Sequence, residues 1–249
     1  MRVLVIPAAG RGSRLGGDTP KPLVMVDGRP MLEHLVALYE PFVQHVVVVA
    51  HPSFTPAVDA WRAGRNTISI AEQHAATGML DAILAAAPAV RRLQPTDIWI
   101  TWADQVGVLP NTVKRLAHHM AAAPAPAAAL PTVRRADPYI HFERDTHGRI
   151  SRLLQRREGD TMPNEGESDM GLFALSAGTF TSDLEAYAAQ VDPGRGTGER
   201  NFLPFVPWLA QRKPIVTFAC TDPMEAVGIN TPDELARVEA WLRQRGPRG

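Results

Sequence analysis

Among 249 residues there is one cysteine, Cys220, so no internal disulfide can form. It lies at the end of an apolar, strand-like run at 213–219 and reads as a small core residue, not a nucleophile. An excess of charge of either sign is missing too: 26 Lys and Arg balance 26 Asp and Glu. That balance argues against broad attraction to nucleic acid or to an anionic membrane, and neither is expected as a partner. No apolar run approaches the roughly 18 residues that a bilayer crossing requires. The charged region, apolar segment and cleavage site of a signal peptide are absent from the N-terminus, which runs directly into a strand. A cytoplasmic protein is expected. The Ala/Pro run at 123–126 is a composition bias, not a domain linker. The length suits a single domain, residues 1–249, with room for a small insertion.

What the sequence has is concentrated in its first 23 residues. Arg2-Val3-Leu4-Val5-Ile6 is apolar and rich in β-branched side chains, which fits a buried strand. It opens into Pro7-Ala8-Ala9-Gly10-Arg11-Gly12-Ser13-Arg14-Leu15-Gly16-Gly17-Asp18-Thr19-Pro20-Lys21-Pro22-Leu23. Small residues such as Ala8, Ala9, Gly10 and Gly12 let backbone N–H groups approach an anion without interference from a Cβ. Arg14 and Lys21 add the cations that a polyphosphate requires. The stretch reads as a triphosphate loop; the plain alternative is a Gly-rich turn with solvated cations. A dinucleotide fingerprint fits less well. Its third glycine is one place late, and the second strand ends in His51-Pro52 where a ribose-binding acid is wanted. A Walker A loop fails as well, because Lys21 is followed by Pro22 and not by Ser or Thr.

Further along, strands at 45–50, 67–71 and 97–102 alternate with helices at 31–39, 54–63 and 81–86. A helix at 113–122 and a strand at 127–133 follow. This order implies right-handed crossovers and a mostly parallel, doubly wound α/β sheet. Ligands of such sheets sit beyond the carboxyl ends of the strands, which gives weight to Gln73, Gly78 and Asp104. A carboxylate directly after a central strand is well placed to hold a divalent cation; a turn cap is the alternative for Asp104. Residues 139–144 and 149–154 alternate around Asp145-Thr146-His147-Gly148, a β-hairpin signal. A polar stretch, 155–166, comes next, then a late strand at 213–219 and a closing amphipathic helix at 233–244.

Taken together, Gly10-x-Gly12-x-Arg14-Leu15 and Pro20-Lys21-Pro22-Leu23 resemble the signature of the sugar-1-phosphate nucleotidyltransferases, the NDP-sugar pyrophosphorylases. Within that family the likeness is greatest to the uridylyltransferase domain of the bifunctional N-acetylglucosamine-1-phosphate enzyme. The resemblance implies a Rossmann-like fold of the nucleotide-diphospho-sugar transferase type, with 134–168 as a hairpin insertion over the acceptor. It implies NTP + sugar 1-phosphate → NDP-sugar + pyrophosphate, with Mg²⁺ as cofactor. Gln73 and Gly78 match the positions that hold the base. Asp104 and Asn230, in Gly228-Ile229-Asn230, match the metal ligands. Gln155, Asp169 and Glu199 match the acceptor positions. The family has Glu where Gln155 stands, Asn where Asp169 stands and Gly where Ala103 stands, so the sugar stays open. Asn230 also suits a helix cap, Glu199 an acid favoured by a helix dipole, and Arg156-Arg157 either a phosphate contact or a solvated charge run. The acetyltransferase half of the bifunctional relative has no counterpart here, and acetyl transfer is not expected.

Three rivals stand beside this reading. One keeps the chemistry with another acceptor: a phosphoalcohol, methylerythritol phosphate or molybdopterin. The second is a catalytically silent nucleotide-binding protein. The third, an NAD oxidoreductase, lacks its ribose-binding acid. Base and oligomeric state stay open, a homo-oligomer included.

Overall fold

The structure, a computed structural model, describes residues 1–10, 15 and 19–245. The chain opens with strands β1 (Arg2–Pro7), β2 (Met25–Val26) and β3 (Arg29–Pro30), then helix α1 (Met31–Tyr39). Next come β4 (His45–Ala50), α2 (Thr55–Arg62), β5 (Ile68–Glu72), α3 (Met79–Ala85), α4 (Ala87–Leu93) and β6 (Asp97–Thr101). Helix α5 (Pro110–Met120) leads to β7 (Ala128–Ala136), the hairpin β8 (Ile140–Arg144) and β9 (Ile150–Gln155), and strands β10 (Glu165–Asp169) and β11 (Leu172–Ser176). Helices α6 (Leu184–Ala188) and α7 (Phe205–Ala210), strand β12 (Ile215–Ala219) and helix α8 (Pro232–Arg245) complete it.

Among the described residues, strand pairing makes a mixed sheet of eight strands and two small two-stranded ones, β2–β3 and β8–β9. β4, β1 and β6 pair in parallel, with β5 outside β4. β11 runs antiparallel to both β6 and β7, and β12 pairs β7 in parallel. Six strands therefore point the same way, and only β10 and β11 oppose them. Those two pair in succession with β7: Asp169 faces Thr132 and Ala174 faces Ala129. Six residues, Asp169 to Ala174, run opposite four, Thr132 to Ala129, and the two extra fall in the turn Met170-Gly171. Gly171 has φ +69, and a Cβ there would overlap the Trp102 ring, so only glycine fits that turn.

The strands are buried on both faces, as expected for parallel strands between helices. Leu4, Ile6, Val46, Val48 and Trp99 pack with α1, α5 and α8 on one face. Val3, Val5, Val47, Val49, Ile98 and Ile100 pack with α3, α4, α6 and α7 on the other. The period of two along each strand thus divides one sheet between two cores.

One expected boundary needs correction. Helix α5 starts at Pro110, three residues before the expected 113, because proline suits the first helical position, where its missing N–H costs nothing. The polar stretch 155–166 ends in a strand. Its end enters β10, which pairs with β7 through Glu165–Asp169, and partners fixed by long-range pairing leave no local apolar alternation. Residues 179–188 form a helical turn and α6.

Candidate active site

The carboxyl ends of β1, β4, β5 and β6 lie along one edge, and the loops after them carry most of the singled-out residues. Lys21 is set by its neighbours: Pro20 and Pro22 restrict the backbone, and Leu23 N–H donates to the Pro20 carbonyl at 2.8 Å. Leu23 and Val24 then pack on the core, anchoring the turn. From there the Lys21 ammonium donates to Asp104 Oδ2 at 2.5 Å and to Asn230 Oδ1 at 2.8 Å.

Asp104 reaches this point from the turn after β6, where Gln105 N–H donates to the Trp102 carbonyl at 3.1 Å and Ile229 N–H to the Asp104 carbonyl at 3.2 Å. Asn230 is not the cap of α8. Thr231 Oγ1 accepts from Glu234 N–H at 3.3 Å, and Glu234 accepts from Asn230 N–H at 2.8 Å and Thr231 N–H at 2.9 Å. This is the reciprocal Thr-x-x-Glu cap, and it leaves the Asn230 amide oxygen free to face Lys21. Nor does Asp104 cap α5, whose first turn has no side-chain cap. Two oxygen donors from distant segments already converge on a cation. That donor chemistry fits a hard divalent ion, with its other positions left to water and phosphate oxygens.

Beside this group lies a cleft of about 420 Å³ lined by Ala9, Gly10, His51, Gln73, Gly78 and Glu199, among others. Ala8 does not reach it: its N–H donates to the Val49 carbonyl at 2.7 Å and its methyl is buried. Gln73 donates through Nε2 to the Gly78 carbonyl at 3.0 Å, which leaves its carbonyl oxygen as the acceptor. Gly78 has φ +120, and a Cβ there would stand 2.5 Å from the Arg200 carbonyl oxygen. Arg14 and Gly12 lie outside the described residues.

A second cavity, about 180 Å³, brings together Gln155, Asp169 and Glu199 with Tyr139, Arg157 and Trp102. Glu199 and Met79 line both spaces. Asp169 accepts from Gly171 N–H at 2.9 Å, but burial outweighs this and pushes its pKa up to about 6. Tyr139 stands at the cavity's rim, 53% exposed, and the protein packed around its phenol, then the negative charge of Asp169, push the phenol's pKa up. Arg156 is tied to Asp137 in an ion pair, whereas Arg157 faces the cavity.

Sequence reasoning missed Tyr139, Trp102 and Glu158. Glu158 accepts from Thr197 Oγ1 at 2.6 Å, Gly196 N–H at 2.7 Å and Asn201 Nδ2 at 2.9 Å, and these bonds, the Thr197 one foremost, hold its pKa below the usual carboxylate range. The only local signal was the glycine spacing at 194–198, which marks close backbone approach without naming the partner. Cys220 is half-buried, and burial raises its thiol to about 11. Among the described residues no helix is long and apolar enough to cross a membrane.

Comparison with known proteins follows the same outline. The chain is 30% identical over 250 residues to the bifunctional protein GlmU of Pelotomaculum thermopropionicum. It is 28% identical over 253 residues to that of Cereibacter sphaeroides and 28% over 249 residues to that of Gluconobacter oxydans. Each alignment covers 97% of this chain and 52% of the relative, so the chain spans about half the length of the curated relatives it matches. Nucleotidyltransferases of this kind generally use a divalent metal. The profile of the MobA-like NTP transferase domain matches residues 4–167, more than half of the sequence, and the chain therefore belongs to that family and is a nucleotidyltransferase.

Proposed function

We propose that the protein joins an NTP to a sugar 1-phosphate, giving an NDP-sugar and pyrophosphate, with Mg²⁺ as its metal. One observation carries the reading: the Lys21 ammonium sits between Asp104 Oδ2 and Asn230 Oδ1, at the strand edge where the larger cleft opens. The smaller cavity, with its mixture of carboxylates and amides, offers the donors and acceptors that sugar hydroxyls need.

In the reaction an oxygen of the acceptor phosphate attacks the α-phosphorus of the NTP. The new P–O bond forms as the bond from the α-phosphorus to the bridging oxygen breaks, and pyrophosphate leaves with the electron pair. A phosphate monoester is largely ionised near pH 7, its second pKa being about 6, so no side-chain nucleophile is required. Magnesium held by the oxygens of Asp104 and Asn230 would neutralise charge on the reacting phosphates. Lys21 has a third N–H to give, directed at charge growing on the phosphates, and Arg14 is assigned the same task. Gln73 and Gly78 hold the base, with the backbone of Ala9 and Gly10 along the phosphates. Gln155, Asp169 and Glu199 hold the acceptor.

Replacement of the family's Glu and Asn by Gln155 and Asp169 supports a second reading, in which the same transfer serves a different phosphate monoester. Pyrophosphate release across a grid decides between them: UTP, GTP, CTP, dTTP and ATP, each against sugar 1-phosphates, phosphoalcohols, methylerythritol phosphate and molybdopterin, with magnesium. Release with a sugar 1-phosphate upholds the first reading, release only with another ester upholds the second, and no release from any pair removes both.

A further inference from the structure

We propose that Glu158 is a positioning residue, whose carboxylate anchors loop 194–201, the wall shared by the two cavities, to the excursion that carries Gln155. The kinetic side of this proposal rests on the nucleotidyltransferase reading above; the structural side does not.

One carboxylate accepts three hydrogen bonds from this loop, from Gly196 N–H, Thr197 Oγ1 and Asn201 Nδ2. The loop is built for the approach. A Cβ on Gly194 would overlap the Glu158 carboxylate, and one on Gly196 would overlap the Arg157 carbonyl. Both glycines therefore serve contact with the same two residues. Within the loop, Gly194 N–H donates to the Glu199 carbonyl at 2.8 Å and Gly198 N–H to the Gly194 carbonyl at 2.8 Å. Those bonds close a compact ring and fix where Glu199 emerges.

The next residue continues the path. Arg200 N–H donates to the Thr77 carbonyl at 2.7 Å, and its carbonyl accepts from Leu80 N–H at 3.0 Å. Gly78 lies between those two partners, and Gln73 holds the Gly78 carbonyl. A continuous set of hydrogen bonds thus runs from the acceptor-side excursion through Glu158, the loop and Arg200 to the base-side turn. Glu199 stands in its middle and lines both cavities. An in-line transfer needs the attacking oxygen and the α-phosphorus held at a set separation, and small displacements are costly. Glu158 lies in the wall of the acceptor cavity, with its carboxylate turned to the loop's three donors, and supplies that constraint through the loop.

The test compares Glu158→Ala and Glu158→Gln with the wild type, using the NTP and acceptor pair that releases pyrophosphate fastest in the grid. Hydrogen exchange in 194–201 should quicken about 10-fold or more in Glu158→Ala, on the scale of losing charge-assisted hydrogen bonds. Amides of β1 and β6 should keep their wild-type rates. KM for the acceptor should rise roughly 10-fold, more than kcat falls, and Glu158→Gln, which keeps one acceptor oxygen for Thr197, should recover part of both changes. Wild-type exchange and wild-type acceptor KM in Glu158→Ala would overturn the proposal. So would a loss spread evenly over exchange in the whole sheet, melting temperature and all kinetic constants. If the wild type releases no pyrophosphate from any pair, the functional reading falls, while exchange in 194–201 still decides whether Glu158 holds the loop.

Discussion

Lys21 and Asn230 are separated by 209 residues in sequence and by 2.8 Å in space. The bond closes the chain's opening loop onto the segment before its last helix, with Asp104 as the third member. Removing either charged member should therefore act on the reaction more than on the fold. Lys21→Ala and Asp104→Ala are each expected to lower kcat by about 10²-fold or more, the scale of electrostatic groups in active sites. Turnover near wild type in either variant would remove it from the proposed machinery.

Chelation should separate metal from fold. Among the described residues no cluster of three or more His, Cys, Asp or Glu is placed to bind an ion, so the metal is expected to serve the reaction without holding the domain together. Excess EDTA should stop pyrophosphate release, added magnesium should restore it, and the melting temperature should not move. A large fall in melting temperature on chelation would contradict this.

Asp169 predicts a pH-dependent stability difference. Its folded-state pKa of about 6 stands above the ordinary 3.8 because burial disfavours the charged form. Ionisation thus costs the folded state nothing below about pH 4, increasingly more up to about pH 6, and its full amount above that. Asp169→Asn keeps an oxygen for Gly171 N–H and removes the cost. It should be more stable than wild type at pH 7.5, by about 3 kcal/mol at most, with the gap closing by pH 4. Denaturant unfolding at the two pH values checks the sign, and an unchanged gap would show that Asp169 is not the group responsible.

Gly78→Ala should damage both fold and site. The positive φ and the 2.5 Å approach to the Arg200 carbonyl leave a methyl no place, at an expected cost of about 2 kcal/mol or more. Nucleotide affinity should fall with it, since Gln73 is held through the Gly78 carbonyl. Calorimetric titration with the preferred NTP, alongside thermal melting, reads both effects.

Cys220 should be a slow thiol. Burial foremost, helped by the charges of Glu225 and Asp222, raises it to about 11, so little thiolate exists near neutrality. Alkylation by iodoacetamide at pH 7.5 should run about 100-fold slower than for free cysteine. Cys220→Ser should turn over like wild type; a fast-reacting thiol or an inactive serine variant would reverse the assignment.

Local patterns were enough for much of the framework. β-branched runs such as Val46-Val47-Val48-Val49 marked the buried strands, and apolar residues at helical spacing between them marked the helices. Hairpin periodicity at 139–154 and the carboxylate placed directly after β6 were legible for the same reason: each depends on residues close together in sequence. The family signature needed no more than the first loop. Only tertiary structure decided the remainder. The Thr231-x-x-Glu234 cap of α8 is a local pattern, but the meeting of the Asn230 amide oxygen with Lys21 is not. The raised pKa of Asp169 depends on what buries it, and β10 exists as a strand because β7 stands beside it. Glu158 finds its three partners 38 to 43 residues away, in a loop whose glycines announce a close approach but not to what. Short-range periodicity encodes which face is apolar; the meeting of distant polar groups is set by long-range packing, which no local pattern contains.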